Sequence, residues 1–264
     1  MQFDVQFTEV SAPWQHTLEC VLAAQDVGFG AVWVLDHFSG DMFGSSSALE
    51  CFTHLGALAA ATTSIGLGTL VANVANRHPG LLAAAAASVQ HISQGRLILG
   101  LGAGTSPAST FATEQRALGI DIPASMASRH ERVGATLDLL DELWADERAE
   151  RWRGFARPVP RPPIIVGLNS APLATLAGQR ADGMNVRWNH PHLAELLATG
   201  RDAFAGRPGS WLPTVWMPFD EEVLDAGHPE RRRLEALGVD RVVLSWFREP
   251  TVAEIERCRG RDLA

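Results

Sequence analysis

The sequence predicts an α/β fold, a single-domain (β/α)8 TIM barrel spanning residues 1–264. Three observations point there. Short apolar runs alternate with longer amphipathic ones from end to end, the signature of repeated βα units and a parallel sheet. The apolar runs number eight, which suits a closed barrel. A chain of 264 residues that is 46% hydrophobic also has enough apolar material for one core of that size.

The elements are read in chain order. "FDVQFT" at 3–8 alternates as a half-buried strand and is followed by a helix over 14–27; "AVWVL" at 31–35 is the second strand, with a helix over 47–62. "IGLGTLV" at 65–71 is the third strand. The helix after it, 80–93, contains "LLAAAAASVQ", and alanines suit a helix pressed closely on the sheet. "RLILGL" at 96–101 is the fourth strand, followed by helices over 107–118 and 128–145. The stretch 145–163, "ADERAERWRGFARPVPRPP", has mixed charges and prolines that cannot continue a helix, so it reads as an exposed crossing rather than a domain boundary. "PIIVG" at 163–167 is strand five, with a helix over 171–181, and "GMNVR" at 183–187 is strand six. Its helix, 191–204, has Asn189 ahead of it and Pro191 in its first turn. "LPTVWM" at 212–217 and "DRVVLS" at 240–245 complete the eight strands, with helices over 229–237 and 251–258. The alternation is the only internal repeat.

Composition excludes several function classes. A net charge of -8 and a pI near 5.6 oppose a phosphate backbone, and the one basic run, Arg231 to Arg233, lies in a helix beside Glu230 and Glu235. Nucleic acid is therefore not an expected partner. No apolar run approaches the ~20 residues needed to cross a bilayer, and "MQFDVQFTEV" alternates where a signal peptide would run basic then apolar. The expectation is a cytoplasmic protein with a small-molecule substrate and no membrane partner. Cys20, Cys51 and Cys258 are odd in number and far apart, which gives neither a disulfide framework nor a zinc site. All 22 basic residues are arginine and tyrosine is absent, as in a high-GC genome.

In such a barrel the active site forms at the carboxyl ends of the strands, so the residues after each apolar run are the candidates. They are Asp36, His37 and Phe38; Ala72, Asn73 and Val74; Gly102 to Pro107; Gly167 to Ser170; Trp188, Asn189 and His190; and Trp246 and Phe247. Asp36-His37 is the one adjacent acid and imidazole among them. Its histidine suits proton transfer near neutral pH, while a turn-capping aspartate beside a structural histidine is the alternative. Gly100, Gly102 and Gly104 are spaced G-x-G-x-G on the fourth strand, which disfavours the dinucleotide fingerprint. They either face a flat redox cofactor or permit close packing at the rim. Gly167, Asn169 and Ser170 lead into a helix whose N-terminus suits a phosphate, although Asn and Ser also serve as plain caps. "NHPH" at 189–192 opens a helix after strand six, the wrong place for the His-x-His of zinc hydrolase barrels, so no metal is expected. His16, His54, His91, His130 and His228 have no partner that the sequence names. Trp188, Trp216 and Trp246 either shape an apolar pocket or pack in the core.

"GFGAVWVLDHF" (28–38), "ALAAATTSIGLGTLVANVANRHPG" (57–80), "SQGRLILGLGAG" (93–104) and "LAGQRADGMN" (176–185) resemble the bacterial luciferase-like monooxygenase superfamily, most closely its branch that uses the deazaflavin coenzyme F420. The resemblance covers nearly the whole chain. It implies that Asp36 touches the deazaflavin ring and that His37 is the proton donor. It implies a non-prolyl cis peptide at Leu70-Val71, in a bulge that backs the ring, with Asn73 just beyond. Ala103, Gly104 and Thr105 would line the ring and the sugar-like tail. Asn169, Ser170, Pro172 and Leu173 would hold the cofactor phosphate, with Gly167 a further cofactor contact just before them.

The chain also departs from the pattern. Where F420-dependent sugar-phosphate dehydrogenases carry an acidic residue after the strand-four glycines and an asparagine three positions on, this chain has Thr105 and Ala108. Lysines that grip a substrate phosphate are absent. The chain is short for the family, a compact variant with shortened loops between strands four and five and between seven and eight. The implied activity is hydride exchange between the deazaflavin C5 and a small organic substrate. The rivals are a reduced-FMN monooxygenase and a non-catalytic flavin-binding protein. A homodimer fits the family's habit.

Overall fold

The computed structural model describes residues 1–7 and 13–264. Nine strand segments form the staves of one parallel barrel: β1 (Gln2–Gln6), β2 (Ala31–Val34), β3 (Gly66–Thr69), β4 (Ala72–Asn73), β5 (Leu97–Gly102), β6 (Ile164–Gly167), β7 (Gly183–Arg187), β8 (Leu212–Pro218) and β9 (Arg241–Ser245). The order runs β3-β2-β1-β9-β8-β7-β6-β5-β4, and β3 pairs again with β5, which closes the ring. The staves number eight because β3 and β4 are two pieces of the third. Thr8, the last residue of the strand read at 3–8, lies outside the described residues.

The one break in a stave is the main departure from the expected strands. No charged or turn-forming polar residue breaks the stretch from Ile65 to Val71, so hydropathy reads one strand over 65–71, yet the chain is in two segments joined by a cis Leu70-Val71 peptide. Leu67 pairs with Leu97 and Ala72 with Leu101, five steps on one stave against four on its neighbour. The third stave therefore carries one extra residue, a bulge that re-aims the side chains beside it.

The helices α1 (Trp14–Val27), α2 (Cys51–Ala61), α3 (Pro79–Ile92), α4 (Thr113–Ala117), α5 (Met126–Trp144), α6 (Ala171–Arg180), α7 (Leu193–Phe204), α8 (Pro229–Ala236) and α9 (Val252–Glu256) wrap the barrel. Their ends follow side-chain chemistry. Glu50 accepts from the Thr53 amide to start α2 four residues later than expected, Ser125 accepts from Ser128 to start α5, and Thr251 and Glu254 form a reciprocal capping box on α9. The helix expected over 107–118 is a 3-10 turn at Thr110–Ala112 running into the short α4. Pro191 precedes α7 rather than opening it, because the chain first turns at 189–192. In α3, Ala83, Ala86 and Ala87 face inward, and their small size lets the helix sit close on the strands.

Apolar residues fill two layers. One lies between strands and helices. The other fills the barrel lumen with Ala31, Trp33, Ile98, Ile165 and Val243. Beneath it the wholly buried Asp4 accepts from Trp33 Nε1 at 2.9 Å and from Arg241 at 2.7 and 2.8 Å, a paired charge sealing the amino-terminal end. All three cysteines are buried and none forms a disulfide.

His54 on α2 is 4% exposed, stands edge-on to Trp14 at 5.5 Å, and has no partner for Nε2. Burial pulls its pKa down to about 4. The folded state thus favours the neutral ring, and the unfolded chain takes up the proton first as pH falls below 6.5. From 6.5 down to 4 this one group should cost up to about 3 kcal/mol of stability. Urea titrations at pH 7 and pH 4.5 should show a smaller loss in His54→Leu than in wild type; an equal loss would contradict the burial argument.

Candidate active site

A cleft of about 870 Å³ opens at the carboxyl ends of the strands. Its floor and one wall come from β2 through β6, and the crossing that holds α4 and the start of α5 closes over it. Asp36, His37, Leu70, Val71, Asn73, Ala103, Gly104, Thr105, Gly167, Asn169 and Leu173 all line it. Ser170 and Pro172 do not. They sit at the mouth of α6, where Ser170 is the cap residue but makes no capping hydrogen bond, and its Oγ is buried without a partner.

His37 follows β2 directly. Its Nδ1 lies 2.9 Å from Glu114 Oε1 and its ring stands edge-on to Phe43, with centroids 5.1 Å apart. The side chain remains 23% exposed, whereas that of Glu114 is 4% exposed. Glu114 Oε2 accepts from the amides of Phe38 and Ser39 at 2.7 and 3.0 Å, and Oε1 also accepts from Gln115 Nε2 at 3.1 Å. Burial pushes the Glu114 carboxyl up, but the hydrogen bonds from His37 and the two amides outweigh it and hold the group below the usual carboxylate range. An ionised carboxylate accepts only, so His37 must donate from Nδ1. Nε2 is then left as the ring's free acceptor.

Asp36 has a different task. Its carboxylate accepts from Arg77 at 2.6 and 2.8 Å, from the Asn73 amide at 2.8 Å and from Asn76 Nδ2 at 3.2 Å. Arg77 in turn reaches Glu50 at 3.0 Å and packs over the Phe52 ring. The carboxylate is saturated, and its effect is to tie the loop after β4 to the end of β2. Gln115 Nε2 also reaches Asn76 Oδ1 at 2.8 Å, so α4 is fastened to the same loop.

The glycines of β5 serve the bulge first. A Cβ on Gly102 would stand 2.4 Å from Val71 Cγ2, one on Gly167 2.8 Å from Val71 Cγ1, and one on Gly100 2.0 Å from the Thr69 carbonyl oxygen. Close packing at the rim therefore explains Gly100 and Gly102, while the bare backbone of 102–104 still forms cleft wall. Gly104 takes φ +70°, where its missing Cβ makes way for Asn73.

Several lining residues escape the strand-end list. Glu114 and Gln115 come from α4, Met126, Arg129 and His130 from α5, and Arg187 from the last position of β7. His130, which the sequence leaves without a partner, faces the cleft, and burial followed by the nearby Arg129 charge lowers its pKa. Of the three tryptophans, Trp216 lines the cleft, whereas Trp246 is buried and stacks on Phe219 at 3.7 Å and Trp188 packs against the core. His16 finds a partner in the Pro250 carbonyl at 2.9 Å. Among the described residues no cluster of three or more His, Cys, Asp or Glu is arranged to hold a metal, and no helix is long and apolar enough to cross a membrane.

Known proteins share the sequence pattern and the fold of this chain. The family model described as luciferase-like monooxygenase matches residues 2–215. An F420-dependent glucose-6-phosphate dehydrogenase of Microbacterium testaceum is 30% identical over 177 residues, 63% of this chain and 50% of that one. A 5,10-methylenetetrahydromethanopterin reductase of Methanolobus tindarius is 29% identical over 213 residues, 79% of this chain and 61% of that one. The chain thus spans about half the length of the first of these relatives. Among solved structures, an F420-dependent secondary alcohol dehydrogenase in complex with an F420-acetone adduct superposes with a TM-score of 0.77 at 18% identity, covering 97% of each chain. At that identity the likeness is one of fold.

Proposed function

From the premise that the chain belongs to the luciferase-like monooxygenase family, we propose that it is a coenzyme F420-dependent oxidoreductase that exchanges a hydride with a small organic substrate. The observation that carries the reading is His37, locked to the buried Glu114 with its other nitrogen free at a cleft backed by the Leu70-Val71 bulge.

The residues present fit the cofactor. A flat ring needs a wall without projecting side chains, which the backbone of 102–104 and the bulge at Leu70, Val71 and Asn73 offer. A phosphate needs donors, and the unpartnered Ser170 Oγ stands at the N-terminus of α6 beside Asn169, Pro172 and Leu173, where first-turn amides lack helical partners. Ala103, Gly104, Thr105 and Gly167 would line the path between. When bound, the deazaflavin supplies the hydride-carrying carbon, and that chemistry is the cofactor's own. The chain's contribution is orientation and proton handling. His37 Nε2 accepts or returns the proton that accompanies hydride transfer, Glu114 fixes its tautomer, and Asp36 holds the bulge in place through Asn73 and Arg77.

The test is a titration of apo-protein with F420 and with FMN in parallel, followed by tryptophan quenching. Micromolar or tighter binding of F420 with weaker FMN binding supports the reading. Preference for FMN, or binding of neither, overturns it.

A further inference from the structure

Arg187 is exposed at the end of β7 and lines the same cleft as His37. Its guanidinium carbon sits 5.4 Å from the Trp188 ring centroid and 5.5 Å from that of Trp216. Both indoles present a ring face to the cation, a contact that uses none of the N–H groups of the guanidinium fork as hydrogen-bond donors to oxygen. Among the described residues no carboxylate and no hydrogen-bond acceptor meets that fork, although acidic residues outnumber arginines 30 to 22 in the chain.

The rest of the cleft sharpens the contrast. Among the described residues its two carboxylates are already matched, Asp36 by Arg77 and Glu114 by His37 and two amides. Its other arginine, Arg129, donates to the carbonyls of Pro123 and Ala124. Arg187 is therefore a cation placed by packing, with a bidentate edge and no anion among the described residues to receive it. His190, three residues on, adds a second polar group to the same wall.

We propose that Arg187 is the receptor for an oxyanion on the substrate, a carboxylate or a phosphate monoester, so that the enzyme's substrates are organic anions anchored at β7 and presented toward His37. This rests on the proposed function for the identity of the reaction, but the anion site itself stands independently of F420. Arginine supplies here what a chain without lysine has no other long cation to supply, and its planar fork fits either oxyanion in two parallel hydrogen bonds.

The experiment uses apo-protein at constant ionic strength, with Trp188 and Trp216 as built-in reporters. Tryptophan emission is followed during titration with sodium acetate and with inorganic phosphate against sodium chloride, in wild type, Arg187→Gln and Arg187→Lys. Arg187 is exposed, so both variants should keep the fold, which circular dichroism checks. The expected result is a saturable response to at least one oxyanion, an apparent Kd raised about fivefold or more in Arg187→Gln, and an intermediate value in Arg187→Lys. A stronger response to phosphate points to phosphate esters and a stronger response to acetate to carboxylic acids. No saturable response in wild type, or an equal response in Arg187→Gln, overturns the proposal. A parallel F420 titration separates the remaining case: a loss of F420 affinity of about tenfold or more in Arg187→Gln would assign the arginine to the coenzyme's anionic tail and overturn the substrate role. An Arg187-dependent anion response in a protein that binds no F420 would leave the anion site standing and remove the cofactor reading.

Discussion

His37→Ala is expected to bind F420 with an affinity within about threefold of wild type and to lose about 10²- to 10⁴-fold in turnover, the span usual for removal of a positioned acid-base group. The argument for a clean effect lies in what the substitution leaves behind. Glu114 loses its contact with His37 Nδ1 but still accepts from the Phe38 and Ser39 amides and from Gln115, so no buried carboxylate is orphaned. The His37 side chain is partly exposed, and the space it vacates opens onto the cleft. Stability should therefore move little while chemistry stops. Steady-state bleaching of F420 at its visible band, with a substrate drawn from a panel of organic anions and their neutral analogues, measures turnover; fluorescence titration measures binding. Turnover equal to wild type would remove His37 from the reaction, and a parallel collapse of binding would make it a cofactor ligand only.

Most of the barrel was legible because its staves are buried on both sides and read as short apolar runs between turn residues, and the helices between them carry their own caps. The third stave was not. Nothing in the hydropathy of Leu67 to Val74 marks where one extra residue enters, and the cis bond at Leu70-Val71 came from family resemblance rather than from periodicity. The site was legible where it lies at or just past a strand end, as His37, Asn73 and Asn169 do. It was not legible where a distant segment folds back over the barrel. Glu114 is 77 residues from His37, in a stretch that reads as one more amphipathic turn, and pairing between remote residues leaves no trace in local pattern. Arg77 had a signal that strand-end reasoning passed over, a lone charge three residues beyond Val74 in an otherwise uncharged loop. Arg187 had one too, a charged residue ending a strand whose other members are buried.

Glu114→Gln is the sharper test of how this site works, because it changes one atom and should reverse the imidazole. The native carboxylate serves two sides at once: Oε2 receives the Phe38 and Ser39 amides, and Oε1 receives His37 Nδ1 and Gln115 Nε2. A glutamine has a single acceptor oxygen. The Phe38 and Ser39 amides are fixed donors that need an acceptor, whereas His37 can move its proton to the other nitrogen and Gln115 Nε2 keeps Asn76 Oδ1 as an acceptor. The oxygen should therefore take the amide side, which turns NH2 toward His37 Nδ1 and makes that nitrogen an acceptor. The neutral ring must then carry its proton on Nε2, the nitrogen that wild type leaves free at the cleft. Two readouts follow. Long-range 1H–15N correlations of His37 should change from the Nδ1–H to the Nε2–H pattern without any substrate present. Turnover should fall by about 10²- to 10⁴-fold, as expected when a catalytic imidazole is held in the wrong tautomer. Glu114→Asp, shorter by one methylene but still acceptor-only, should keep the native tautomer and recover part of the rate. A glutamine variant with an unchanged tautomer and unchanged turnover would reduce Glu114 to a cap on the Phe38 and Ser39 amides.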